Sequence, residues 1–344
     1  MMIAFLTEGN QTIGMGHYLR CSGIAESLIE KGEEICFIIP ADADAGFLGL
    51  KSFKTYTLGG EISGGWDISE ACSIINRIGV KTVVVDSYRI DNNAYERLKS
   101  ECRVIYIDDL DMYDCRADII INFNPGADES VYTEREISGR NVYAGVKYYP
   151  LRTEFNGKRK EDLNRMVGNV LITSGSTDPF GCVKEILTEI DPSLYESIEF
   201  DVLIGKYYQA PYIEMLEELR NQYSNVKLLT WGDAVSDLIV NADLVIAPGA
   251  SMIMEALSLN VPCISYEFVD NHHETCIWLE KLGMTGTFGK LPVNGRDNVI
   301  RNVFISELDL EKRKGHSEKY SEVFDGKGLE RVVKIIMDAA AARR

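Results

Sequence analysis

Short runs of β-branched and aliphatic residues alternate with stretches of helical period along almost the whole chain, and this restricts the fold more than any other feature. Strands joined through helices pair in parallel, because each crossover helix carries the chain back to the same end of the sheet. In the first half the strand candidates are 3–6, 35–39, 82–85, 104–107 and 119–121. Between the first two, Leu19, Ile24, Ala25, Leu28 and Ile29 form an apolar stripe that follows Gly14-Met15-Gly16-His17 and stops at Gly32. A second series has strand candidates at 170–173, 200–204, 226–229, 244–247 and 263–266, with helical stretches at 181–190, 212–222, 234–241, 251–259 and 273–282. The segment between the series, 151–168, is the most charged and least periodic of the chain and reads as a linker. The expected fold is α/β, two Rossmann-like domains facing a cleft. An N-terminal domain spans 1–150 and carries a Gly-rich loop; a C-terminal nucleotide-binding domain spans 169–344. The last helix, at 329–340 with Val332, Val333, Ile335 and Ile336 on its apolar face, could return to the first domain.

Composition narrows the partners. The chain has 344 residues, 45% of them hydrophobic, enough for two sizeable cores. With 36 Lys+Arg against 53 Asp+Glu the net charge is −17, which argues against nucleic acid, since such binding rests on clustered basic residues. A small anionic ligand stays compatible, because helix N-termini and a few arginines can oppose the net charge locally. No apolar run approaches the ~20 residues that span a bilayer, so no membrane partner is expected. Met1 to Glu8 lacks a basic n-region and a cleavage site and reads as a first strand. The eight cysteines include no C-x-x-C pair, which points to reduced, buried thiols in a cytoplasmic protein and to no zinc site. No cofactor is expected, and oligomeric state is left open.

In parallel sheets ligands bind beyond the carboxyl ends of the strands, so the loops there carry the functional argument. The first, Thr7 to His17, places Gly14 and Gly16 where backbone could approach a ligand and puts His17 in the first helical turn. The helix dipole there disfavours the imidazolium and keeps the ring able to accept a proton near pH 7, while a bound diphosphate would push the other way. Leu19 occupies the third position of a G-x-G-x-x-G pattern, which disfavours a dinucleotide. A plain Gly-rich turn with a surface histidine is the alternative.

Ser174-Gly175-Ser176-Thr177-Asp178-Pro179, after a strand and before a helix, suits either an N-cap or an anion nest. In Ala247-Pro248-Gly249-Ala250-Ser251 a strand ends and a helix begins, with amides suited to a diphosphate. Glu255, one turn in, could accept both hydroxyls of a ribose or simply complement the helix dipole. His272 and His273 are adjacent, and neighbours on a helix do not face each other, so a metal is not expected there. Asp86-Ser87-Tyr88 and Asp108-Asp109 close two strands at one sheet edge. These acids could serve as acid/base groups or cap loops; Asp109 reads best as a loop cap, and Asp86 and Tyr88 could contact a sugar.

Taken together, these stretches resemble the UDP-2,4-diacetamido-2,4,6-trideoxy-β-L-altropyranose hydrolases of pseudaminic acid biosynthesis and their spore-coat polysaccharide relatives. Those are GT-B-type proteins similar to the N-acetylglucosaminyltransferase that makes lipid II. The resemblance runs in order through Ile13-Gly-Met-Gly-His17-Tyr-Leu-Arg20-Cys21, Asp86-Ser-Tyr88-Arg-Ile-Asp91 and Asp108-Asp109-Leu110. It continues through Leu151-Arg152-Thr-Glu-Phe155, Gly175-Ser-Thr-Asp178-Pro179, Gly249-Ala-Ser-Met-Ile-Met-Glu255-Ala-Leu257 and Asp270-Asn271. It implies a hydrolase in which His17 is the general base that activates water, UDP is the leaving group and no metal takes part. It further implies that the C-terminal domain holds UDP, with the helix that starts near Ser251 on the phosphates and Glu255 on the ribose. Gly14, Gly16, Asp86, Tyr88, Arg152, Ser176, Thr177, Asp178, Gly249, Ala250 and Asn271 complete the implied substrate-binding set. The chain departs from the family pattern at Thr7-Glu8-Gly9, where Arg-x-Asp is usual, at Ser87, where His is usual, and at His272, where Gln is usual. These departures bear on which sugar is carried. Two other readings stand beside the hydrolase: a glycosyltransferase of the same fold using His17 on an acceptor hydroxyl, and a non-catalytic nucleotide-sugar-binding protein.

Overall fold

A computed structural model describes all residues except 47–52, 60–65, 111–113, 134–140, 156, 231, 233, 234, 294–297, 343 and 344. Residue 156 of the charged segment and residue 234 of an expected helix thus lie outside the described residues. The chain divides into two compact units, one formed by Met1–Thr153 with Gly326–Arg344 and the other by Glu154–Asp325.

The strands of the first unit are β1 (Met2–Thr7), β2 (Glu34–Ile39), β3 (Lys54–Thr57), β4 (Thr82–Asp86), β5 (Arg103–Ile107), β6 (Ile119–Asn122) and β7 (Asn141–Ala144). They pair in parallel in the order β3-β2-β1-β4-β5-β6-β7. Helices α1 (Gly16–Glu30), α2 (Ile68–Ile78), α3 (Asn92–Glu101) and α4 (Glu129–Thr133) lie between them. The central strands β1 and β4 are apolar on both faces and buried, as a sheet covered by helices on both sides requires, whereas the edge strands β3 and β7 are largely exposed or half-buried.

In the second unit, β8 (Asn169–Ile172), β9 (Glu199–Ile204), β10 (Val226–Thr230), β11 (Leu244–Pro248), β12 (Cys263–Glu267) and β13 (Gly286–Lys290) form a parallel sheet in the order β10-β9-β8-β11-β12-β13. Its helices are α5 (Cys182–Ile190), α6 (Ala210–Gln222), α7 (Val235–Asn241), α8 (Ser251–Ser258), α9 (His273–Lys281), α10 (Val299–Glu307) and α11 (Leu310–Val323). From Glu154 on, the charged segment belongs to this unit. Buried Asp243 accepts hydrogen bonds from Lys160 Nζ at 3.1 Å, Asn164 Nδ2 at 2.7 Å and the Gly168 N–H at 2.8 Å. Burial works against the Asp243 charge, but these donors prevail and hold its carboxyl below the usual range. The final helix, α12 (Gly328–Ala341), belongs to the first unit, where Arg331 Nη1 donates to the Lys147 carbonyl at 2.7 Å.

In both sheets the order reverses beside the first strand of the unit, between β1 and β4 and between β8 and β11. Crevices at such reversals, beyond the carboxyl ends of the strands, are where doubly wound sheets bind ligands. The loops after these four strands are those that carry Gly14 to His17, Asp86 to Tyr88, Ser174 to Asp178 and Gly249 to Ser251.

Candidate active site

Strands β1 and β4 end in register, with Thr7 opposite Asp86, so the glycine loop and the Asp86 turn emerge side by side. Gly14 takes φ +85° and its N–H bonds the Asn10 carbonyl at 2.8 Å, closing the loop before α1; few residues other than glycine adopt that backbone. Gly16 has no such demand, since a Cβ there would meet open space. Gly9 is the closer constraint, because a Cβ would lie 2.8 Å from the Tyr18 ring.

His17 is buried in the first turn of α1, and its Nδ1 stands 2.6 Å from Asp86 Oδ1. No residue among those described bonds its Nε2. The ring of half-exposed Tyr88 meets the imidazole edge-on at 4.4 Å between centroids. Asp86 is wholly buried. Besides His17 it receives Arg20 Nε on Oδ2 at 2.6 Å, Arg20 Nη2 on Oδ1, and the Cys21 thiol at 3.2 Å. Burial alone would raise the Asp86 pKa, but Arg20 and His17 outweigh it and hold the carboxyl well below the usual carboxylate range. Arg20, despite the cost of burial, is held in its charged form by Asp109 and Asp86.

Asp109 therefore serves as an ion partner, 2.7 Å from Arg20 Nη2, rather than as a loop cap. Beneath this cluster Glu8, also buried, accepts from Ser87 Oγ at 2.8 Å, the Tyr88 N–H at 2.9 Å and Arg89 Nε at 2.5 Å, while Trp66 Nε1 donates to Ser87 at 2.9 Å. The substituted positions Glu8 and Ser87 are thus bonded to each other and set the Tyr88 turn. His17, Asp86 and Asp109 offer ligand atoms within 4.8 Å of one another. The Arg20 guanidinium, bonded to both carboxylates, already supplies the positive charge a cation would bring there. Arg152 belongs to this unit and packs on α1, where its Cα would lie 3.4 Å from a Cβ at Gly23.

In the second unit the loop after β8, open on sequence to either an N-cap or an anion nest, holds a cap at Asp178. Its carboxylate accepts from the N–H groups of Cys182 at 2.8 Å and Val183 at 3.0 Å and from Tyr212 Oη at 2.6 Å. Ser176 and Thr177 stay partly exposed in the turn before it. After β11 the Gly249 N–H goes to the Tyr266 carbonyl at 2.9 Å and that of Ala250 to Pro248 at 2.6 Å, so neither amide points outward for an anion. No side chain caps α8, which leaves the N–H groups of Ser251 and Met252 to an outside acceptor, since those of Ile253 and Met254 bond the Ala250 carbonyl. Glu255 is buried one turn in, and Asn271 is exposed in the short helical turn before α9. His272 is buried, with Nδ1 lacking a hydrogen-bond partner and its ring against Phe268 at 4.7 Å; burial lowers its pKa to about 4.

The sequence pattern pointed to His17, Asp86 and Tyr88 but gave no role to Arg20, Arg89 or Glu8. Arg20 had a signal: three residues after His17 on a helix, it shares His17's face. All eight cysteines are buried and free, and no helix among the described residues is long and apolar enough to cross a membrane.

No family model matches the chain. It is 27% identical over 276 residues to the uncharacterized protein MJ1062 of Methanocaldococcus jannaschii, covering 77% of this chain and only 55% of that one. It is 22% identical over 286 residues to the UDP-2,4-diacetamido-2,4,6-trideoxy-beta-L-altropyranose hydrolase of Campylobacter jejuni, covering 82% of this chain and 97% of the hydrolase. The spore coat polysaccharide biosynthesis protein SpsG of Bacillus subtilis is 22% identical over 98% of both chains. Among solved structures, MurG of Acinetobacter baumannii superposes with a TM-score of 0.70 at 14% identity, covering 98% of this chain and 99% of MurG. The UDP-GlcNAc 2-epimerase of Neisseria meningitidis, bound to UDP-GlcNAc, gives 0.64 at 13% identity, covering 98% and 100%. The fold is thus of the GT-B type, two parallel-sheet α/β domains.

Proposed function

We propose that the chain processes a nucleotide sugar and, more narrowly, that it hydrolyses a UDP-linked 2,4-diacetamido-2,4,6-trideoxy-hexose. The observation that carries the reading is the 2.6 Å contact of His17 Nδ1 with buried Asp86, which leaves Nε2 as the nitrogen to accept a proton. Distant similarity to a named UDP-sugar hydrolase supports the substrate class. Nε2 of His17 takes a proton from water as the water oxygen bonds to the anomeric carbon; the bond from that carbon to the diphosphate oxygen breaks, and UDP leaves with its electron pair. The first amides of α8 bind the diphosphate and Glu255 the ribose hydroxyls, so that charge on the departing phosphate meets a helix N-terminus.

The test is incubation of purified protein with the UDP-sugar, chelator present and no acceptor, in ¹⁸O-labelled water. Free UDP and reducing sugar are the expected products, and the label reports whether the C–O or the P–O bond breaks. Release only after addition of an alcohol acceptor indicates a glycosyltransferase, and binding without turnover a non-catalytic protein. His17→Asn, which keeps bulk and removes the base, is expected to abolish turnover while leaving UDP affinity unchanged.

A further inference from the structure

One acceptor and one donor crowd the same nitrogen of His17. Its Nδ1 lies 2.6 Å from Asp86 Oδ1 and 2.9 Å from Arg20 Nη2. A carboxylate oxygen and an imidazole lone pair repel at such a distance, so a proton must lie between Nδ1 and Oδ1. Arg20 has none to offer, because a guanidinium only donates and Nη2 carries two hydrogens. One goes to Asp86 Oδ1 and the other to Asp109 Oδ2 at 2.7 Å. The remaining hydrogen of the fork, on Nε, goes to Asp86 Oδ2 at 2.6 Å. The short Nη2–Nδ1 approach is therefore a close pairing of a fixed positive charge with a neutral N–H.

Resting on the hydrolase reading for its catalytic consequence, we propose that Arg20 is a positioning residue for His17. It clamps both oxygens of Asp86 so that Oδ1 accepts the Nδ1 hydrogen bond, which fixes the lone pair on Nε2. Asp109 completes the device by occupying the second Nη2 hydrogen, which otherwise would turn to Nδ1 and move the proton to Nε2.

The groups that face the imidazole are few. From α1 come Arg20 and the Cys21 thiol, which burial keeps protonated. From the end of β4 comes Asp86, and from the loop after it the Tyr88 ring. From the loop after β5 comes Asp109, and from the loop after β1 Glu8, whose carboxylate is taken by Arg89 and Ser87. The Phe123 ring lies under the guanidinium at 5.3 Å and holds its plane. Only Arg20 brings a positive charge to the imidazole within this set.

Long-range ¹H–¹⁵N spectra of the full chain read the tautomer directly. The chain has four histidines, and the His17 signal is the one lost in His17→Asn. In the wild type the neutral Nδ1–H tautomer is expected. Arg20→Ala should give mixed tautomers, with kcat reduced about 10²-fold and KM little changed. Arg20→Lys keeps the charge without the fork, so it should not restore the single tautomer. Asp109→Ala frees an Nη2 hydrogen and should raise the Nε2–H tautomer even if Arg20→Ala fails to fold. A wild-type Nε2–H tautomer, or an unchanged His17 signal in folded Arg20→Ala and in Asp109→Ala, overturns the proposal. The expected spectra without any hydrolysis would leave the proposal standing and overturn the hydrolase reading instead.

Discussion

His17 and Asp86 stand 69 residues apart in sequence and 2.6 Å apart in the fold, joined because β1 and β4 are neighbours at the point where the strand order of the first sheet reverses. A carboxylate with no exposed surface, shared between an imidazole and an arginine, is in place to orient rather than to bind. Asp86→Asn is therefore expected to lower kcat by about 10²–10⁴-fold with little change in KM, because an amide no longer dictates which nitrogen of His17 is protonated. The same change removes a charged acceptor from Arg20 and should cost about 1–3 kcal/mol, read from urea denaturation. A loss of substrate affinity with kcat preserved would return Asp86 to the sugar-binding set.

Asp178 gives the opposite forecast. All of its contacts are to its own unit: two amides at the start of α5 and the Tyr212 hydroxyl. Asp178→Ala should destabilise the protein by about 1–2 kcal/mol, as loss of a helix cap does, and leave UDP affinity within about twofold by calorimetry. A tenfold weaker UDP complex with unchanged stability would make it a ligand.

Gly249 is needed for packing rather than for its amide. A Cβ there would lie 2.5 Å from Cys276 Sγ and 2.8 Å from the His272 carbonyl oxygen. Gly249→Ala should therefore push the turn that carries Asn271 away from α8, at a cost of about 1–3 kcal/mol, and weaken UDP binding along with stability. Adding Cys276→Ala relieves the sulfur contact but not the carbonyl one, so thermal melts should show partial recovery.

Much of this arrangement was legible in the amino-acid order. Central strands such as β1, β4 and β11 are buried on both faces and read as unbroken apolar runs, so their ends, and the loops that begin there, could be placed. The edge strands β3 and β7, Lys54-Thr-Tyr-Thr and Asn141-Val-Tyr-Ala, are four residues long and largely exposed or half-buried, too short to give such a run. Helix α11 hides for a related reason, with lysines, glutamates and Gly315 around most of its circumference. At the site, local pattern showed which loops gather at the strand ends but not the pairing inside them. That Asp109 meets Arg20 from α1, and that Glu8 meets Ser87 and Arg89 from the loop after β4, depends on strand order, which no local window contains.

The buried imidazole of His272 makes acid stability testable. Burial lowers its pKa from the ordinary 6.5 to about 4, so between those values the unfolded chain binds a proton that the folded chain refuses. Stability contributed by this group is whole above about pH 7 and falls as the pH drops toward 4, because the unfolded state gains from protonation first. At pH 4.5 the loss amounts to about 2–3 kcal/mol relative to pH 7. His272→Gln removes the titration, and Asp86, whose lowered pKa also drains stability in acid, is common to both proteins. The expected result is that urea midpoints of wild type and variant diverge between pH 7 and pH 4.5, with the wild type losing more. Parallel curves would mean that His272 is protonated in the folded chain, and that its Nδ1 has an acceptor such as water rather than the dry contact with Phe268.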